Sequence, residues 1–358
     1  MLHVASLSTA PLSSPRPADQ RLLLDWHARY ALNPSSLAAL PTMTGLLTVP
    51  GMDGGLGFQR VGRAFMASGE PLAPRSAWPR LAAALIELAR GAGGVPCFAP
   101  VGDDYAAVLA RLGLLTVRLG STPHIHLQDW PQTGRAGAGV RGAVNRASRD
   151  GLTFSAASRE ALSSLPFLPQ SPDDPDSDWV REVRQLSADW LRQRRARVPF
   201  RWIFDLQPLA FYQRKRYFEA RRAGRLVGLI AASPLCGRGG WYLEDILRAA
   251  DAPGCTGTAL VAYALSALKR GGAETATLGG VPLWQERGWD SAPSSSLERL
   301  AYRLRPLLSQ VYSFDGLATF KRRFGPAHWE NESLALPAGV SGTLAAGRAL
   351  TRLILLGG

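Results

Sequence analysis

Asp245 and Arg248 stand three residues apart in EDILR (Glu244 to Arg248), where the pattern predicts the end of a strand. A carboxylate placed there can accept or orient the proton of a hydroxyl. A guanidinium can hold the negative charge that develops on an attacked carbonyl. Just downstream, DAPGCTGT puts Gly254, Gly257 and Thr258 at the opening of a helix. Free backbone N–H groups at such a helix start bind anions or polarised carbonyls. Together such groups suit a step that deprotonates a hydroxyl and stabilises an oxyanion, for which no metal, cofactor or covalent nucleophile is called for. An isolated Asp-x-x-Arg is more often an exposed ion pair, so the surrounding motifs must decide.

Two such motifs follow. LGGVPL (Leu278 to Leu283) reads as a strand and turn containing Gly279 and Pro282. YSFDGLATFKRRFGPAHW then brings Tyr312, Phe314, Gly316, Lys321 and Arg322 together. Phe320 and Phe324, at i and i+4, predict a short helix closed by Gly325-Pro326. In this order the three motifs resemble the cytoplasmic catalytic part of the phosphatidylglycerol lysyltransferase family, also called aminoacyl-phosphatidylglycerol synthases. Its members move an amino acid from aminoacyl-tRNA to a lipid hydroxyl.

The resemblance covers roughly residues 20 to 338 and is most specific after residue 240. It implies catalytic roles for Asp245 and Arg248. It also implies substrate contacts from Gly254, Gly257, Thr258, Gly279, Pro282, Tyr312, Phe314, Gly316, Lys321 and Arg322. Implied partners are aminoacyl-tRNA, an anionic phospholipid and a separate membrane flippase. The loop before Thr258 and the stretch Arg192 to Trp202 depart from the family pattern, which bears on the amino acid or acceptor used. Two other readings stay open: a CoA-dependent N-acyltransferase on the same fold, and a non-catalytic RNA- or membrane-binding module. The spacing of Gly254-Cys-Thr-Gly257 does not match a pyrophosphate-binding loop, which weakens the first.

Charge points the same way. The chain of 358 residues carries a formal net charge of +13, which favours polyanionic partners. Its basic residues cluster, notably along Gly134 to Leu152. There Val140, Val144 and Ala147 form an apolar line, and Arg135, Arg141, Arg146 and Arg149 are expected to hold tRNA phosphates. The three cysteines are far apart, so neither a disulfide framework nor a zinc site is supported. His124 and His126 would share one face of a strand and are expected at a partly buried sheet edge. No apolar run is long enough to span a bilayer, and the N-terminus lacks the pattern of a secretory signal. The expected location is cytoplasmic, peripheral on the inner face of the plasma membrane.

The elements that must position these residues alternate between strand and helix. Helices are predicted at 21–30, 76–91, 105–112, 179–190 and 258–270. Strands are predicted at 46–49, 59–67, 95–100, 115–119, 124–127, 225–233, 240–245 and 274–278. In the second half, two strands, a glycine-bearing loop, a helix and a further strand resemble the core of the GNAT acyltransferase fold. The expected fold is therefore α/β (α+β), with two tandem GNAT-like domains joined by a basic helix. The boundaries are a loose lead-in at 1–20, a first domain at 21–150, a catalytic domain at 151–338 and a C-terminal amphipathic segment at 339–358. That last segment could cap a core or lie on an anionic membrane.

Overall fold

In the computed structural model the described residues are 17–40, 43–131, 133–157, 177–193, 206–284, 298–299 and 314–356. Strands from both halves of the chain join one mixed sheet. In the first half, β1 (Gly45–Leu47), β2 (Leu56–Val61) and β3 (Ala64–Ala67) are antiparallel neighbours. The single strand expected over 59–67 is a hairpin instead. Gly62, at φ 60°, makes the turn, a backbone region that favours glycine. Helices α1 (Pro17–Tyr30) and α2 (Ser35–Ala39) precede these strands. Helix α3 (Trp78–Gly91) then crosses over to β4 (Val95–Val101), parallel to β3. Helix α4 (Asp103–Arg111), β5 (Leu114–His126) and the basic α5 (Ala138–Arg149) complete this half.

The second half repeats the succession. Strands β6 (Leu152–Ala156), β7 (Arg216–Arg222), β8 (Arg225–Leu235) and β9 (Gly240–Arg248) are antiparallel in turn. Helix α6 (Asp178–Gln193) lies between β6 and β7 in the chain. Helix α7 (Thr256–Arg270) then crosses to β10 (Thr275–Thr277), parallel to β9. Both halves thus contain an antiparallel pair, a helix and a parallel strand, as the tandem reading expected. Burial drives the packing of α7: Leu260, Val261, Leu265 and Leu268 are fully covered, each contributing about 1.5–3 kcal/mol.

The halves exchange their last strands. The short β11 (Val281–Pro282) pairs with β5. Helix α8 (Phe314–Arg322) leads to β12 (His328–Pro337), which inserts between β4 and β5. In return, β5 pairs with β10 of the second half. The strands expected at 115–119 and 124–127 are therefore one central strand. His124 lies mid-sheet rather than at an edge, because β12 and β10 cover it on both sides. Helix α9 (Val340–Leu356) packs Ala346 and Ala349 onto the first half's sheet beside Leu334 and Leu336, so it caps a core. Among the described residues, no helix is long and apolar enough to cross a membrane.

Candidate active site

Opposed residues on paired strands share a face of the sheet, so register shows which side chains can meet. Tyr217, Ala231 and Asp245 lie opposite one another across β7, β8 and β9. Tyr242 opposes Thr277, Thr277 opposes His124, and His124 opposes His328. Further along the same face, Glu330 opposes Thr122 and Glu332 opposes Gly120. A polar band therefore runs across the seam where the exchanged strands meet.

Lys321 of α8 reaches this band from LGGVPL. Its side chain is buried, and Nζ donates to the carbonyl oxygens of Gly279 at 2.6 Å and Gly280 at 2.8 Å. Burial depresses its ammonium to about 7, against a weaker opposite pull from Glu332. The two glycines are needed for this close approach. A Cβ at Gly279 would lie 2.6 Å from the Tyr242 ring, and one at Gly280 would lie 2.4 Å from Glu332 Oε2. The LGGVPL turn is thus clasped between Tyr242, Glu332 and Lys321. Burial pushes the Glu332 carboxyl up, although it accepts a 2.5 Å hydrogen bond from the Thr122 hydroxyl.

Glu330 behaves oppositely. Burial alone would raise it, but His124 Nε2 at 3.1 Å and Arg238 at 2.7 Å outweigh that and hold the carboxyl low. His328 stacks on His124 with centroids 5.0 Å apart, and its imidazole is depressed by burial and by His124. Of the histidine pair flagged in the sequence, His124 therefore borders the Glu330–Arg238 ion pair, while His126 meets the His328 ring edge-on at 5.8 Å. Among the described residues, no group of His, Cys, Asp and Glu is arranged to hold a metal ion.

Asp245 and Arg248 are both on β9, but strand alternation divides them. Arg248 opposes Gly228, where a Cβ would touch Thr256 and Leu260 of α7 at 3.2 Å. Arg248 thus lies on the α7 side, where Nη1 donates to Ala252 O at 2.9 Å and braces the loop before α7. Beside that loop is a cleft of about 280 Å³, lined by Gly254, Cys255, Thr258, Ala143, Arg146, Asp150 and Arg323 among others. It brings Arg146 of the basic helix to the glycine loop. Gly257 is in the first turn of α7, with nothing within 4 Å of its Cβ position. Arg135, Arg141 and Arg149 are exposed nearby on or before α5.

The remaining expected residues have structural settings. Pro282 pairs with Gly120, Phe314 is buried at the start of α8, and Gly316 lies in its first turn. The Arg322 guanidinium sits 4.7 Å over the Trp284 ring. Tyr312 lies outside the described residues. Glu332, Tyr242 and Glu244 were not singled out from sequence, nor was Glu298, which is fully buried in an ion pair with Arg118. Glu332 sits two residues from Glu330 on a strand, and that alternation was the only available signal.

This geometry can be set beside known proteins. The family described as phosphatidylglycerol lysyltransferase, C-terminal, matches residues 27–336. The chain belongs to this family. The phosphatidylglycerol lysyltransferase of Bacillus subtilis is 23% identical over 278 residues, covering 78% of this chain but only 30% of that protein. The chain thus spans under a third of the length of that relative. Two solved structures share the fold. One is a C-terminal domain assigned to a lysylphosphatidylglycerol synthetase from Agrobacterium fabrum, with TM-score 0.77, 22% identity and coverage of 95% of this chain and 98% of that one. The other is L-PGS from Bacillus licheniformis, with TM-score 0.75, 19% identity and coverage of 97% and 99%. The family that the three motifs resemble is the family that matches.

Proposed function

We propose that this chain transfers an amino acid from aminoacyl-tRNA to a hydroxyl of phosphatidylglycerol, at the cytoplasmic face of the membrane. The observation that carries this reading is Lys321. A neutral amine has two N–H bonds and one lone pair. Both N–H bonds are used by Gly279 and Gly280, which leaves the lone pair to accept a proton. A group at about 7 is partly neutral at physiological pH, as a general base must be.

In the proposed reaction the acceptor O–H bond breaks and its proton passes to Lys321 Nζ. The acceptor oxygen bonds to the ester carbonyl, and the ester bond to the tRNA ribose breaks. The ribose oxygen then recovers the proton from Nζ, so no proton is gained or lost. Asp245, on the same face of the sheet, pairs with the ammonium of the aminoacyl group. Arg146 and Arg323 hold tRNA phosphate beside the start of α7, with Arg135, Arg141 and Arg149 extending the track. Arg248 shapes that cleft through Ala252. Phosphatidylglycerol supplies the anionic lipid, and a separate flippase would move the product.

The test is transfer by purified protein from individually charged tRNAs to phosphatidylglycerol vesicles, with lipids read by mass spectrometry. An aminoacylated lipid that depends on charged tRNA is expected. Retention of acyl-CoA by the pure protein, without any lipid product, would replace this reading with a CoA-dependent one.

A further inference from the structure

Asp245 faces the polar band because β9 contains one extra residue. Leu243 opposes Ala232 and Asp245 opposes Ala231, so Glu244 between them has no partner on β8. In a regular strand Asp245 would share the face of Leu243, which is fully buried in the core. The bulge turns it to the side of Tyr217 and Tyr242. Bulges beside active sites commonly re-aim a side chain in this way.

The bulged residue is held by a buried ion pair. The Lys215 ammonium meets the Glu244 carboxylate, with side chains 4% and 9% exposed. Lys215 Nζ also donates to Gln207 O at 3.1 Å and Pro208 O at 3.4 Å. Tyr217 donates to the same Pro208 oxygen at 2.7 Å, and its ring packs edge-on against Trp179 of α6, 5.2 Å between centroids. The ammonium is thereby fixed to the segment before β7, and it fixes Glu244 in turn. A buried pair of this kind is weak evidence for stability, but it can specify a single arrangement.

We propose that Lys215 and Glu244 are positioning residues, whose buried pair holds the β9 bulge and so aims Asp245 at the aminoacyl group. The inference rests on the transfer reading given above. Neither residue touches the reacting atoms; both act through Asp245.

The experiment measures transfer kinetics for Lys215→Met, for Lys215→Met/Glu244→Leu, for Lys215→Arg and for Asp245→Asn, alone and combined. Lys215→Met strands a buried carboxylate, so the paired variant, which removes both charges, guards against simple misfolding. With Tm near wild type, the paired variant should lose about 10²-fold in kcat, the usual cost of a misplaced reacting group, while KM for tRNA stays constant. Lys215→Arg keeps the charge and should recover most of the rate. In an Asp245→Asn background the paired substitution should cost little more, because its effect passes through Asp245. Full kcat in the folded paired variant overturns the proposal, as does a loss that multiplies with that of Asp245→Asn. If wild type transfers nothing, or Asp245→Asn is fully active, the transfer reading of the site fails instead.

Discussion

The two halves of the sheet follow one construction plan but treat the start of their crossover helix in opposite ways. In the first half, α3 opens on Trp78 and Pro79, with the indole buried and bonded to Ala73 O. Proline has no N–H to offer, and the tryptophan fills the space a ligand would need. In the second half, α7 opens after Gly254 and Cys255. Nothing lies within 4 Å of a Cβ at Gly254 or Gly257, and Arg146 and Arg323 flank the cleft. The packing around each helix differs in the same sense. The first half closes on Leu81, Leu85, Phe98 and Tyr105, whereas the second presents Tyr242, Asp245, Lys321 and Glu332. On the transfer reading proposed above, the first half serves as scaffold and the second carries the chemistry.

Substitutions can break that contrast. The largest effect is expected from Lys321→Met, which removes the lone pair while keeping much of the side-chain volume. Transfer should fall by about 10²–10⁴, in single-turnover assays on protein shown to be folded. In the wild type, log kcat/KM should rise with pH below about 7 and level off above it, since Lys321 acts as base only when neutral. A flat profile through pH 7 would remove Lys321 from that role. Stability carries the same signature. The folded pKa is depressed, so the unfolded chain binds the proton more readily between about 7 and 10.5. Stability therefore gains with rising pH across that window, and Lys321→Met should abolish this contribution in pH-dependent denaturant melts.

Gly280→Ala should be intermediate. The added methyl meets the end of the Glu332 side chain, which can swing aside, so Tm should shift little. The displaced carboxylate should still lower transfer by about tenfold, in keeping with the sensitivity of such sites to small displacements. Charge reversal of Arg146 and Arg323 together should act on binding instead. Affinity for unrelated tRNAs should weaken about equally, and the slope of log K against log salt should fall by roughly one for each phosphate no longer neutralised. The smallest effect belongs to the first half. Glu87→Gln, on the exposed face of α3, should leave transfer within about twofold of wild type, the range of surface substitutions away from a site.

Much of this was legible in the sequence. Helices α3 and α6 followed from apolar periodicity and α7 from its Ala and Leu content, and the family followed from EDILR, LGGVPL and the Lys321 segment. What was hidden is non-local. No strand is predicted over HWENESLALP (His328 to Pro337), and nothing nearby indicates that β12 enters the opposite half, so the enclosure of Glu332 beside Lys321 could not be read. Asp245 and Arg248 looked like a pair because they are close in sequence, but an odd spacing on a strand puts side chains on opposite faces. The bulge at Glu244 was equally invisible, since it depends on Lys215, which is far from Glu244 along the chain.

The strand exchange also sets the order in which the molecule can be made. β4 stays unpaired on one side until β12 is available, and β12 is encoded more than two hundred residues later. During synthesis the first half must therefore wait on the ribosome with an exposed edge, a state prone to mispairing. Such distant pairing slows folding. A ribosome-stalled chain ending before His328 should stay protease-sensitive at β4 and β5, and supplying the missing strand in trans should protect both at once.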